Sequence, residues 1–399
     1  MIRIFVFSLI LLSTIDLFGE TGDSVNIHGF ISQGYLKSTR NDFIQDSTDG
    51  TWQFNEFGIN FGHHPIEKLL ISLQLFARDL GSVGNDQVSV DLAFADYRFR
   101  DFLGIRAGKM KSPMGLYSET RDVDMLRTCT FLPLSVYDEL LKDSQNYTQG
   151  IGIYGFYNRP WGSIGYQALL GTCNIDKDSA TADFLELGLS NISAVKEDTT
   201  QTYALQYSDP AGFLRIGATA CFTALHVDAV TRDHIFWFIY HLPEGVSFNY
   251  DVNNIEIYTA SAELTLRNLV LTYETKYTKA RNLILFNDNQ EFYNRHLDQY
   301  GYYGMITYRF TNYFEAGVYY EEFFPYKNDR HGHQPEFGFQ KEDHWLKKWA
   351  FSLKFDINPN WLLKLETQYV DGTAYLIYEE NISPRHHWFI NAAKLTYNF

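Results

Sequence analysis

The longest segment informative for chemistry lies between residues 104 and 143, "GIRAGKMKSPMGLYSETRDVDMLRTCTFLPLSVYDELLKD". Arg106, Lys109, Lys111, Arg121 and Arg127 supply cations, and Glu119, Asp122, Asp124, Asp138, Glu139 and Asp143 supply anions. With the first three cations on a strand and the acids on a facing loop, a transverse electric field would lie between them. The plainer alternative is that these charges pair locally or face water. Other candidate chemistry is thinner. "GIGIYG" at 150–155 matches G-x-G-x-x-G, but it runs on into "FYNRPWG", a turn, where a dinucleotide site needs a helix. The pairs His63-His64, His331/His333 and His386-His387 stand in polar stretches with no cysteine or obvious carboxylate set beside them, so no metal is assigned. Neither a G-x-S-x-G elbow nor an H-E-x-x-H helix is present, and no organic cofactor is implied. Cys129, Cys173 and Cys221 are odd in number and contain no C-x-x-C pair, which argues against a disulfide framework.

Composition narrows what could position such residues. The chain has 399 residues, a formal net charge of −15 and 17% aromatic residues, 28 of them Tyr and 32 Phe. So acidic a chain lacks the basic face that contact with nucleic-acid phosphates requires. Residues 1–19 read as a secretory signal peptide: Arg3, an apolar run from Ile4 to Leu12, and cleavage near Gly19. Beyond them the longest purely apolar run is Ile235 to Tyr240, far below the roughly 18 residues a spanning helix needs.

The remainder, 20–399, alternates with period two. Leu69, Ile71, Leu73 and Leu75 alternate with Leu70, Ser72, Gln74 and Phe76; Trp349, Phe351, Leu353 and Phe355 oppose Lys348, Ala350, Ser352 and Lys354; Trp361, Leu363 and Leu365 oppose Lys364, Glu366 and Gln368. One face is apolar and the other polar, and the polar rows are expected to line water. Short turns at 64–68, 100–102, 158–161, 208–212, 266–268, 311–312 and 358–360 alternate with long polar connections at about 38–51, 79–87, 112–147, 172–200, 224–254, 278–298, 322–345 and 371–387. Seven short and eight long connections separate sixteen strands, the arrangement of an all-β transmembrane antiparallel barrel. The last stretch, Asn391 to Phe399, alternates to its final residue, and the barrel can close only if it pairs with a first strand at about Val25 to Lys37.

On the strand with Arg106, Gly108, Lys109 and Lys111, the following Pro113-Met114-Gly115-Leu116-Tyr117 and Arg121-Asp122, the chain resembles the porins of Gram-negative outer membranes, phosphate-selective and general-diffusion types alike. The resemblance implies a bacterial outer-membrane location in lipid, a homotrimer, and passive diffusion of small hydrophilic solutes or ions without catalysis. It also implies that the third long connection, 112–147, folds into the lumen as a constriction bordered by Arg106, Lys109, Lys111, Glu119, Arg121, Asp122, Asp124 and Arg127. Ser135, followed by Asp138, Leu140 and Leu141, suggests a helix within it with Ser135 as N-cap. Two other readings stay open: a barrel enzyme of phospholipase type, built from residues across strands, and a closed barrel that binds at the cell surface.

Overall fold

A computed structural model describes residues 24–399, except 45, 82–83, 85, 140–141, 174–189, 232–234, 238–239, 243, 287–290, 334–339, 377–380 and 382. The signal peptide expected over 1–19 lies outside the described residues. The strands are β1 (Asn26–Ser38), β2 (Asn55–Ile66), β3 (Leu69–Asp79), β4 (Ser89–Arg100), β5 (Leu103–Lys111), β6 (Tyr147–Arg159), β7 (Gly162–Thr172), β8 (Ser190–Glu197 and Thr200–Ser208), β9 (Leu214–Thr231) and β10 (Ser247–Leu266). They continue with β11 (Leu269–Phe286), β12 (Glu291–Thr311), β13 (Phe314–Phe324), β14 (Leu346–Asp356), β15 (Trp361–Gly372) and β16 (His387–Asn398). The two pieces of β8 are one strand interrupted at Asp198 and Thr199: the second pairs with Arg215 to Phe222 of β9 and the first with Leu225 to Thr231. Counted so, the sheet has sixteen strands, each antiparallel to its neighbours in sequence.

β16 pairs with β1 from Ile390↔Ser38 to Asn398↔Phe30, and Gly29 and Phe399 exchange two backbone hydrogen bonds of 3.0 Å. Closure removes the unpaired edge that hydrocarbon would not tolerate. All seven short turns fall where the sequence places them. Three long connections are shorter than expected, because β8 already begins at Ser190, β9 and β10 run on to Thr231 and from Ser247, and β11 and β12 to Phe286 and from Glu291. Polar residues there lengthen the strands beyond the apolar belt, so hydropathy alone ends them too early. A small hairpin, Ile235–Trp237 with Tyr240–Leu242, sits in the connection from β9 to β10.

The outer face exposes apolar side chains in rows, among them Ile31, Ile71, Ile105, Ile153, Ile216, Ile306, Phe351, Leu353 and Leu395. A water-facing surface would not carry so continuous an apolar belt; a lipid-facing one must. Aromatic pairs rim it at both ends. Trp161–Tyr207, Tyr308–Phe310 and Trp361–Tyr397 lie toward the short turns, and Tyr35–Trp52, Tyr320–Trp349 and Tyr369–Phe389 toward the long connections.

The inner rows depart from expectation on one side. Ser352, Lys348, Lys364, Glu366, Gln368, Lys394 and Thr396 were expected to face water as part of the polar rows or their equivalents, yet all are buried. What covers them is the connection from β5 to β6.

Candidate functional site

Three lysines stand side by side on neighbouring strands. Lys354 of β14 is directly opposite Lys364 of β15, which is directly opposite Lys394 of β16. Like charges opposite one another destabilise a sheet, so this row requires an anion. The connection 112–146 supplies one. Asp124, at the start of a 3₁₀ turn Asp124–Leu126, sets one carboxylate oxygen 3.2 Å from the Lys364 ammonium and the other 2.8 Å from that of Lys394, with Arg127 at 2.9 Å and the Thr396 hydroxyl donating at 2.9 Å. Lys354 and Lys364 also donate to the backbone carbonyls of Met125 and Cys129. Asp124 and the two lysines have side chains no more than 1% exposed. Burial of charge on this scale is tolerable only with such complete pairing.

The same connection is held elsewhere by carboxylates of other strands. Glu366 of β15 accepts from the Thr130 backbone N–H at 2.7 Å and Glu321 of β13 from that of Ser135 at 2.7 Å, Glu321 being itself paired with Lys348 of β14 at 2.7 Å. Glu274 of β11 accepts from the Leu116 N–H, the Tyr137 hydroxyl, the Ser261 hydroxyl of β10 and the Tyr303 hydroxyl of β12. Tyr117 reaches Glu263 of β10 at 2.7 Å. On the other side Arg78 of β3 donates to the Glu139 carbonyl at 2.9 Å. Apolar packing reinforces these bonds: Phe131 and Leu134 pack with Leu36, Phe54, Val370, Trp388 and Ile390, while Cys129, Leu132, Val136 and Tyr137 pack with Tyr303, Tyr319 and Ala350.

The expected site residues divide into three groups. Lys111, Arg121, Asp122, Asp124 and Arg127 are buried within ion pairs. Asp122 joins Lys111 to Lys142, Lys111 also lies 3.5 Å from Asp91, and Arg121 meets Glu139 at 3.0 Å. Burial would push these carboxyls up, but their cations prevail. Lys111 and Lys142 hold Asp122, and Lys364, Lys394 and Arg127 hold Asp124, well below the usual carboxylate range; Glu139, beside Arg121, is brought down to about 2. Arg106 and Glu119 form the second group and remain open, 27% and 48% exposed and 3.9 Å apart, with Arg106 also 2.6 Å from Asp96 and stacked over Tyr154.

Lys109 stands alone. It is three residues from Arg106 on an uninterrupted strand ladder, so it shares its face with Ile105 and Ala107, and its ammonium meets the Val90 carbonyl and the Tyr147 ring. Arg106 and Lys109 therefore do not act from one face, as the contacts of Lys109 also show. Ser135 is not a helix N-cap either: Val136 and Tyr137 bond back to Pro133, and the only helical turn of the α type described in this stretch is Lys142–Gln145. Reasoning from residue types overlooked Glu274, Glu321, Glu366, Lys364 and Lys394. The row of lysines at one height on three consecutive strands was the available signal.

Of the histidine pairs, His386 and His387 come within 3.7 and 3.6 Å of Asp371, a carboxylate that sequence spacing did not place there. Cys129, Cys173 and Cys221 are buried, and no disulfide joins them.

Two cavities border the connection 112–146, one against residues 113–120 and the other against residues 134–138 and Gln145. One, of about 330 Å³, lies toward the short turns, lined by Glu119, Gln167, Gln206, Arg215, Thr219 and Ser261. The other, of about 240 Å³, lies toward the long connections, lined by Ser135, Asp138, Gln145, Lys276, Thr278 and Gln299.

No protein-family model matches this chain, and no curated protein matches it in sequence. Its likeness is to solved structures. OmpF of Salmonella typhi, in complex with daunomycin, is similar at a TM-score of 0.57 and 12% identity over 95% of this chain and 98% of that one. OmpT, an outer-membrane protein of Vibrio cholerae, gives 0.56 and 10% over 96% and 99%. The anion-selective porin of Comamonas acidovorans gives 0.54 and 10% over 95% and 100%. At such identities what is shared is the fold, a sixteen-stranded outer-membrane barrel.

Proposed function

We propose that this outer-membrane barrel is a porin, through which small hydrophilic solutes or ions diffuse passively. In this reading the connection 112–146 is a strap crossing the lumen, Arg106 and Glu119 border the remaining opening, and Lys111, Arg121, Asp122, Asp124 and Arg127 fasten the strap in place. The observation that carries it is the spread of the strap's partners: β3, β10, β11, β13, β14, β15 and β16 all hold it by polar side chains of their inner rows. Strands so far apart around a closed sheet share a ligand only across its interior. A strap that narrows a barrel without filling it is the device by which a wide pore becomes a size filter. A homotrimer accords with the likeness to the trimer form of Vibrio cholerae OmpT, at a TM-score of 0.51.

The test is electrical. Purified, refolded protein in a planar bilayer is expected to give discrete, ohmic conductance steps; folded protein that inserts and passes no current would overturn the proposal. The same preparation should release no fatty acid from phospholipid vesicles above background, and release would favour the enzyme reading instead.

A further inference from the structure

We infer that Asp371, His386 and His387 form a binding site for a divalent transition-metal ion of the zinc class on the outer rim of the barrel. The site stands whether or not solutes pass through the lumen. No carboxylate set adjoins this histidine pair in sequence, but the fold supplies one from β15. Asp371 is directly opposite His387, the first residue of β16, so both side chains leave the same face of the sheet. Val370 and Trp388, the next pair along, are buried in the interior packing, which places Asp371 and His387 on the outer face. Successive residues of a strand point to opposite faces, but His386 precedes β16 in a bend, and its ring centre lies 4.0 Å from that of His387.

The distances suit an ion without movement of the backbone. The Nδ1 atoms of His386 and His387 are 3.7 and 3.6 Å from Asp371 Oδ1, and one ligand atom from each of the three residues lies within 4.8 Å of the others. Ligand atoms bound to a tetrahedral zinc at its usual bond lengths are themselves about 3.3–3.6 Å apart. Both strands that carry the ligands are held. Gly372, at φ 108°, donates its N–H to the His386 carbonyl at 2.8 Å and accepts from the Trp388 indole at 3.2 Å, and a side chain there would set its first carbon 2.0 Å from the Trp345 carbonyl oxygen. Trp345 donates its indole N–H to Asp371 Oδ1 at 3.2 Å, the kind of outer hydrogen bond that orients a ligating carboxylate. Lys347, opposite Asp371 on β14, turns its ammonium toward the Trp345 ring, 6.0 Å from the ring centre. The Tyr369 hydroxyl is 3.0 Å from His387 Nδ1; an ion at that nitrogen displaces it and leaves it free to hold a coordinated water.

Two imidazoles and one carboxylate select zinc, nickel or copper over calcium and magnesium, which take oxygen ligands throughout. Three protein ligands leave a position for water. The three side chains are a third to a half exposed, so an ion reaches them from outside. Beside them the first and last long connections meet: Arg40 donates to the His387 carbonyl at 3.3 Å and Asn41 to that of Arg385 at 2.6 Å. An ion there braces the barrel where β16 closes on β1.

Calorimetric titration of refolded, chelator-stripped, full-length protein in detergent with zinc chloride tests the site. One zinc per chain is expected, and His386→Gln and Asp371→Asn should each weaken it roughly tenfold or more, since loss of an outer hydrogen bond alone costs that much at such sites. His331→Gln, at another histidine pair, should leave the affinity unchanged, and calcium should not compete. Saturating zinc should raise the temperature at which the wild-type barrel unfolds and leave that of His386→Gln where it was. Folded protein that takes up no zinc at millimolar concentration, or zinc binding that both substitutions leave unchanged, overturns the site. One zinc per two chains would overturn its closure within a single chain.

Discussion

The two sides of this barrel are made from the same kind of strand but solve opposite problems. On β13 to β16 the inner positions carry long charged side chains, Glu321, Lys348, Lys354, Lys364, Glu366 and Lys394, and every one is buried against the strap. On β7 to β10 many inner positions carry short side chains, Ser163, Gly165, Ala204, Gly217, Thr219 and Ser261 among Gln167, Gln206 and Arg215, and space remains. Charge in a barrel interior is usually taken to mark the water path. Here its largest buried cluster lies in the filled half. Long side chains reach across and hold; short ones leave room.

The contrast is most easily broken at Asp124. Asp124→Ala would leave Lys364 and Lys394 buried without their shared anion, and removal of one partner from such a site costs about 3–5 kcal/mol. A fall in the temperature at which the folded barrel resists detergent, together with larger and noisier conductance steps, is the expected result. Unchanged values for both would mean that the filled half does not depend on its charges.

A second comparison sets inner against outer positions. Leu353 faces lipid, so Leu353→Arg should cost about 2–4 kcal/mol if near mid-membrane. Alternation alone would make Ser352→Arg harmless, but Ser352 is 2% exposed with its hydroxyl on Glu366 at 2.7 Å, so this substitution should also disrupt folding. Gln206→Arg, on the open wall, should fold normally. Urea or heat unfolding of the three variants ranks them.

Glycines give a finer contrast. An added methyl at Gly301 would come 2.5 Å from the Ser135 carbonyl oxygen, where the strap touches β12, whereas Gly217 has room. Gly301→Ala should therefore lower thermal stability measurably, and Gly217→Ala should leave it within about 0.5 kcal/mol of wild type.

The smallest effect expected is that of pH. Asp122, Asp124 and Glu139 titrate below the ordinary carboxylate value of about 4, and such groups stabilise the folded state fully above that value and lose the contribution as pH falls through their depressed values. Conductance should be flat from pH 7 to 5 and drift only below about 4, toward the value near 2 of Glu139. A transition between pH 5 and 7 would assign control of the strap to other groups.

The fold was legible in the sequence because two signals reinforced each other: period-two rows, and short turns alternating with long connections. Strand ends in β8 to β12 were not legible, since beyond the hydrocarbon layer polar residues pair as readily as apolar ones. The site was legible only as a location. "SETRDVDMLR" announces charge, but whether Asp124 meets water or two lysines depends on residues more than two hundred positions away. Local pattern carries no information about that distance. The like-charged row Lys354, Lys364 and Lys394 was readable once the turns had set the register, and it implied an anion without naming which.

That ionic cluster also bears on the order in which the molecule assembles. Lys394 pairs with Glu56 of β2 as well as with Asp124, so one chain of charges, Glu56, Lys394, Asp124 and Lys364, crosses the seam where the last strands meet the first. β15 and β16 lie at the seam where the sheet closes on β1, and until they are in place Asp124 has neither of its lysines. Capture of Asp124 and zipping of the seam become a single late event, and errors in one would be trapped by the other.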